Sequence, residues 1–324
     1  MTNKIWRLVS LGIWKETTAG TEASTFTWIP LTIAPFIKPI NEYINNENGI
    51  GRIEASNWQE LAKSESESAM EWWIWTETFW HLLTAAFWDS AAPATIETGV
   101  YKHSFDVINT NDHKSYSIIT DGTTQNLSLY NLIDSLAISA EVWDVVKFTS
   151  LFKWKSVGTT TGKTVSFATE NNFKVANMSV KFASDIAWLW AATAVCLQTL
   201  NFELVKNVMS IFCAWSIEPS SLHNQQLELT WDFEALFTDD TYKDYVTGWI
   251  NKAMRITITS DTLIGATKYA ELNFDFANVN FSEWDRSTDN NSIMTQTVWF
   301  TAWYSIADTE MITAYLQNSR ATQY

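Results

Sequence analysis

Apolar and polar residues alternate through most of this chain, and a period of two is the signature of the half-buried β-strand. Across residues 136–154 one face carries Leu136, Ile138, Ala140, Val142, Val146, Phe148 and Phe152. The other carries Ser139, Glu141, Trp143, Lys147 and Thr149. The pattern predicts one strand, or two with a bend near Asp144. Residues 295–305 alternate likewise, with Val298, Phe300, Ala302 and Tyr304 opposite Thr295, Thr297, Trp299, Thr301 and Trp303. Further strands are predicted at 115–120, 174–182, 197–204, 227–234, 255–260 and 270–276. Helical periodicity is confined to two short stretches. In 76–87, Phe79, Leu82, Leu83, Ala86 and Phe87 share one face. Residues 238–246 open on acids suited to a helix N-terminus and stop at Gly248. The expected class is mainly β: two tandem β-sandwich or barrel units, each with a short flanking α-helix.

The two units are expected at 1–165 and 166–324, divided by a threonine-rich connection at 159–169. Each half reads as a strand, a short helix and a strand opened by a basic residue. Those last strands are His103-Ser104-Phe105-Asp106 and Met254-Arg255-Ile256-Thr257. Each half closes with paired strands around an acidic-tryptophan stretch, Glu141-Val142-Trp143-Asp144 and Glu283-Trp284-Asp285. This is the mark of a tandem duplication. Residues 37–69 and 183–221 are expected to be long insertions, and such segments commonly carry function.

Composition narrows the function. A hydrophobic fraction of 46% supports a sizeable core, and a net charge of −15 argues against holding nucleic acid through its phosphates. Cys196 and Cys213 form no CxxC spacing and are expected to be free thiols. The first twenty residues lack an apolar signal region, and the most apolar window, 70–88, contains Glu71, Glu77 and His81. The expectation is a soluble protein made in the cytoplasm, with no membrane contact. Gly158-Thr-Thr-Thr-Gly162-Lys163-Thr164 is one residue short of a phosphate-cradling loop and precedes a strand-like segment, so it reads as a polar connection. His81, His103, His113 and His223 have no metal-ligand spacing. Asp232, Glu234, Asp239, Asp240 and Asp244 crowd around a helix start, where the helix dipole accounts for most of them. No catalytic, cofactor-binding or metal residue is assigned, no cofactor is called for, and no enzyme is expected.

The tryptophans need separate treatment. There are nineteen, against ten glycines. Their sum is about 9% of the chain, near what glycine (about 7%) and a few tryptophans give in an ordinary protein. The codon UGA is read as tryptophan in some genetic codes and as glycine in others, so many of these positions are expected to be glycine natively. Trp143, Trp299 and Trp303 fall on polar strand faces, and Trp249 follows Gly248 where a helix end favours glycine. Trp188 and Trp190 flank a leucine among small residues, whereas Trp231 aligns with Leu227, Leu229 and Phe233 on an apolar face. Taken literally, Trp72, Trp73, Trp75, Trp80 and Trp88 would make a stacking platform, the alternative being a carbohydrate-binding β-sandwich.

With those tryptophans read as glycines, the chain resembles the tail tube (major tail) proteins of long-tailed, non-contractile bacteriophages. The matching stretches are Gly12-Ile-Trp14-Lys-Glu-Thr-Thr-Ala-Gly-Thr21, Trp28-Ile29-Pro30, Ser216-Ile-Glu-Pro219 and Asp239-Asp-Thr-Tyr-Lys-Asp-Tyr245. Lys252-Ala-Met-Arg255, Phe281-Ser-Glu-Trp284-Asp-Arg286 and Thr295-Gln-Thr-Val-Trp-Phe300 complete the set, which spans most of the chain. Trp28 and Trp284 match family tryptophans. Trp14, Trp80, Trp88, Trp143, Trp188, Trp215 and Trp299 fall where relatives carry glycine. The resemblance implies a structural virion protein, made in the host cytoplasm, whose rings stack into a tube. Two units per chain imply trimeric rings of pseudo-sixfold symmetry. The implied partners are further copies of itself and the tape measure, tail terminator and tail-tip proteins. DNA would pass through an acidic lumen without specific binding.

Overall fold

The computed structural model describes residues 9–30, 36–48, 51, 53, 58–87, 89–90, 92–107, 114–122, 124–287 and 293–322. The protein is mainly β, as the alternation requires. The first half supplies β1 (Ser10–Lys15), β2 (Thr27–Ile29), β3 (Phe36–Asn45), β4 (Gln59–Trp73), helix α1 (Trp80–Ala86), β5 (Asp89–Ser90) and β6 (Ala94–Glu97). It continues with β7 (Val100–Asp106), β8 (Tyr116–Asp121), β9 (Gln125–Glu141), β10 (Lys147–Trp154) and β11 (Ser156–Thr160). The second half supplies β12 (Met178–Ala183), β13 (Ala194–Val195), β14 (Leu197–Val205), β15 (Met209–Ile211), β16 (Ser221–His223) and β17 (Glu228–Leu236). Helix α2 (Thr241–Thr247), β18 (Lys252–Leu263), β19 (Tyr269–Arg286), β20 (Thr295–Trp303) and β21 (Ile312–Asn318) follow.

Eight strands lie side by side, each antiparallel to the next, in the order β3-β4-β10-β9-β14-β17-β20-β19. Two further runs complete the fold, β13-β12-β18-β19-β21-β7 and β2-β1-β8-β9-β11. Strands β9 and β19, the longest, each serve in two of these runs. β9 changes partners near Tyr130, whose backbone is left-handed (φ 56°). The Tyr130 N–H donates to Glu16 Oε1 at 2.9 Å, and Glu16 also accepts from Gly20 N, Ser115 Oγ and Ser117 Oγ. A buried carboxylate with this many donors is well compensated for its lost hydration.

The pairing order of the first half recurs in the second. β1–β2, β1–β8, β8–β9, β9–β10, β10–β4, β9–β11 and β3–β4 are matched by β12–β13, β12–β18, β18–β19, β19–β20, β20–β17, β19–β21 and β14–β17. The counterpart of β18, with Arg255, is therefore β8 and not the His103 strand. That strand, β7, instead pairs with β21 across the two halves.

The apolar faces fill one large core, with two small separate clusters at Trp28, Ile119 and Leu127 and at Leu132, Val208 and Leu222. Its centre is aromatic: Trp231 lies 3.8 Å from Phe276 and Phe202 lies 5.0 Å from Phe274, ring centre to ring centre. Burying each such side chain contributes roughly 1.5–3 kcal/mol.

Residues 136–154 form two strands with a bend near Asp144, the second of the two expected arrangements, β9 and β10 being joined by a turn at Glu141–Asp144 closed by Asp144 N–H to Glu141 O at 3.1 Å. Several other expectations change in detail. Tyr304 is exposed because β20 ends at Trp303. Residues 76–79 form a turn ahead of α1, and α1 does not flank the sheets, since all seven of its residues are buried. No residue of α2 is fully buried, although Tyr242 and Tyr245 pack inward. Region 183–221 is not one insertion, because it contains the central strand β14. Region 37–69 falls largely within the β3–β4 hairpin.

Candidate assembly surface

One face of the eight-stranded sheet is in the core and the other is polar. A row across the polar face reads Lys147, Ser139, Asn201, Asp232, Trp299 and Glu283, each beside the next. From β4 to β19 that face carries Glu67 and Glu71 on β4, Glu141 on β9 and Glu203 on β14. Glu228, Asp232 and Glu234 on β17, and Glu283 and Asp285 on β19, complete the set. Among the described residues the cations over the same rows are Lys147, Lys153 and, on β3, Lys38, which pairs with Glu67 at 3.2 Å. Lys147 is bound to Asp144 at 2.6 Å and Lys153 to Asp134 at 3.1 Å. The Lys147 ammonium holds the Asp144 carboxyl below its usual value. A hollow of about 310 Å³ lies over Ser139, Thr149, Asn201, Glu203, Thr230 and Asp232. Nothing in it aligns a nucleophile with a base.

Among the described residues the sheet ends in two edges with no strand beyond them. Strand β3 pairs with β4 alone among the described residues. From Asn280 to Arg286, β19 pairs with β20 on one side and has no described strand on the other. The matching side of β9 is covered, because Ser135–Glu141 pairs with β14. These edges left no mark in the sequence. Of the five acids between 232 and 244, Asp232 and Glu234 lie in the strand expected at 227–234, now β17. They belong to the sheet face, and only Asp239, Asp240 and Asp244 sit at α2.

The tryptophans divide by geometry. Trp143 is the third residue of the Glu141–Asp144 turn, with φ 74° and 98% exposure, a position that favours glycine. Trp249 ends α2 with φ 54°, where Trp249 N–H meets Val246 O and Ile250 N–H meets Tyr245 O. That is the Schellman closure, whose left-handed residue is usually glycine. Trp188, Trp190 and Trp215 are exposed, and Trp299 lies on the polar face. In contrast, Trp28 and Trp231 are buried, and Trp284 donates from Nε1 to Gln296 Oε1 at 3.0 Å.

The literal aromatic platform is not an open surface. Trp72 and Trp80 are 1% exposed. Trp14 meets Trp80 edge-on at 5.7 Å, and Trp80 stacks on His81 at 3.5 Å. Trp88 lies outside the described residues.

The remaining sequence features sit apart from one another. His81 is enclosed, and burial, with Arg320 and Lys15 nearby, keeps its pKa well below the usual value. His103 Nε2 meets Arg320 O, and His223 meets Ser221. His113 lies outside the described residues. Gly158 lies in β11, and Lys163 pairs with Glu22 at 2.7 Å. Cys196 and Cys213 are free. Among the described residues no three potential ligands gather to hold a metal, and no helix is long and apolar enough to cross a membrane. Set against known proteins, the chain matches no family model and no curated sequence.

Proposed function

We propose that this chain is a structural protein of a bacteriophage tail, three copies of which close into a ring that stacks into the tail tube. The observation that carries the reading is the unequal treatment of β9 and β19. Within the chain, β9 is covered by β14, the first sheet strand of the following half. Among the described residues no strand covers the same side of β19, and its natural cover is β3 of a neighbouring copy. Polarity permits this. With eight strands alternating in direction, β3 and β19 run oppositely, so a neighbour's β3 meets β19 as an antiparallel partner. Three copies make a closed barrel of twenty-four strands, and closure removes the free edges that otherwise invite uncontrolled association. The polar face then lines the lumen, where its carboxylates repel DNA phosphates and let the genome slide. The tape measure, terminator and tail-tip proteins are the further partners of this reading, and Trp143 and Trp249 are glycines in the native protein.

The test is sedimentation and negative-stain microscopy of the purified chain, with a threefold ring expected. A chain that stays monomeric at every concentration overturns the reading. Glu203→Lys with Asp232→Lys should give rings that retain DNA at low salt, whereas wild-type rings release it. Equal retention by both would refute the acidic lumen.

A further inference from the structure

His81 lies in the first turn of α1, fully enclosed, and two indoles help to close it in. Trp80 stacks on its ring at 3.5 Å, and Trp14 meets it at 5.3 Å. Among the described residues neither ring nitrogen of His81 has a hydrogen-bond partner. The Thr84 and Tyr116 hydroxyls are buried beside it, with only each other for partners among those residues. Polar groups enclosed in this way cost free energy unless something bonds to them, and a water or an ion is the usual remedy. Two cations stand over the same place. The Arg320 guanidinium is 5.1 Å from the Trp80 ring centre and 6.0 Å from that of Trp14, and Lys15 is opposite Tyr116 across β1 and β8. Burial first, then Arg320 and Lys15, keeps a proton off His81. Glu77, the acid that meets Arg320, already accepts from Ser319 Oγ at 3.0 Å.

We infer that the native chain, with glycine at positions 14 and 80, holds a small oxyanion in the space these two indoles occupy. It is the indoles that press on His81 and leave its nitrogens bare. Their removal vacates well over the roughly 30 Å³ that one water needs. The space opens to solvent on the side where Trp14 is only partly buried. Arg320, which loses two ring faces, gains an anion in their place. His81 donates from one ring nitrogen, Lys15 from its ammonium, and Thr84 and Tyr116 from their hydroxyls. Donors and positive charge converging on one enclosed space select an oxyanion over a metal cation. The site rests on the glycine reading proposed for positions 143 and 249, extended here to 14 and 80, and does not depend on ring formation.

The test is NMR of the histidine rings in a chain carrying Trp14→Gly and Trp80→Gly, titrated with inorganic phosphate. The His81 signals should shift saturably with phosphate and not with chloride at equal ionic strength. Arg320→Gln in that chain should weaken phosphate binding by about tenfold or more. The chain with both indoles in place should show no such shift. A His81 that does not respond, or that responds equally to chloride, overturns the inference, and so does a glycine chain that fails to fold. Peptide masses of the protein from its native source separate the two readings. Tryptophan at positions 14 and 80 overturns the glycine reading there and this site together; glycine at both without the phosphate shift overturns the site alone.

Discussion

β9 and β19 are counterparts in the two halves, and they differ chiefly in what lies beside them. Both leave one strand run for another, both turn into a following strand, and both present carboxylates on the polar face. β9 is bonded on both sides at its C-terminal half, whereas β19 is bonded on one. The lesson is that a repeated fold can leave one copy of a junction satisfied inside the chain and the other waiting for a neighbour. Their tryptophans differ as well. In the β9 turn Trp143 projects into solvent from a left-handed backbone, while on β19 the Trp284 indole is anchored by Gln296.

The sharpest way to break the comparison is proline. Ala137 in β9 faces Thr149 on one side and Glu203 on the other, so Ala137→Pro removes a ladder bond from a central strand. Loss of the cooperative urea transition is expected. On β19, the Ser287 N–H points at Thr295 O, so the preceding amide, of Arg286, points to the free side. There, among the described residues, it meets the Asp285 side chain at 2.7 Å. Arg286→Pro should therefore leave the monomer's urea midpoint nearly unchanged and reduce ring formation by sedimentation. A monomer equally damaged by both substitutions would show that the two edges are not different in kind.

The helices extend the comparison. α2 starts in the open, with Asp239 accepting the Thr241 N–H at 2.9 Å. α1 is enclosed, and the turn before it relies on Glu170 from the connection between halves. Glu170 Oε2 accepts from Glu77 N, Thr78 N and Thr78 Oγ1. Burial pushes the Glu170 carboxyl up to about 7 from 4.5, against the lowering effect of those donors. The folded chain then holds this proton more tightly than the unfolded one. Its contribution is present below pH 4.5 and is lost as pH rises through about 7. The loss should be on the order of 3 kcal/mol. Glu170→Gln should flatten that slope in urea midpoints measured between pH 4.5 and 7.5, and an unchanged slope would remove Glu170 as its source.

The smallest effect belongs to the turns. Trp143→Gly and Trp249→Gly should each raise stability by about 1 kcal/mol, because the left-handed backbone costs an L-residue roughly 1–2 kcal/mol. Trp231→Ala, by contrast, should lower it by about 3–5 kcal/mol through the cavity it leaves. Urea midpoints of the three variants decide whether the tryptophans fall into two populations. If both turn variants prove destabilising, position 143 and position 249 are not glycine sites.

Much of this was legible in the chain itself. Alternation placed Leu136, Ile138 and Phe148 inward and Ser139 and Glu141 outward, because side-chain direction along a strand is fixed by the backbone pleat. The site after Gly248 was legible too, since helix closure is a local event. Other features were not. That the strand expected at 197–204 is central, between β9 and β17, was not readable, nor that Asp232 and Glu234 share a sheet face with strands far away in sequence. Nothing in β19 distinguishes it from β9 as an edge.

The sequence by itself determined that the chain is mainly β, which face of each strand is buried and where several turns need a left-handed residue. Only the tertiary structure decided which strands are neighbours, that the pairing order repeats, and that among the described residues β3 and the end of β19 lack a second strand partner. The reason is physical. A period of two reports burial on the two faces of a strand, but its hydrogen bonds lie in the plane of the sheet, where no side-chain pattern records whether a partner is present.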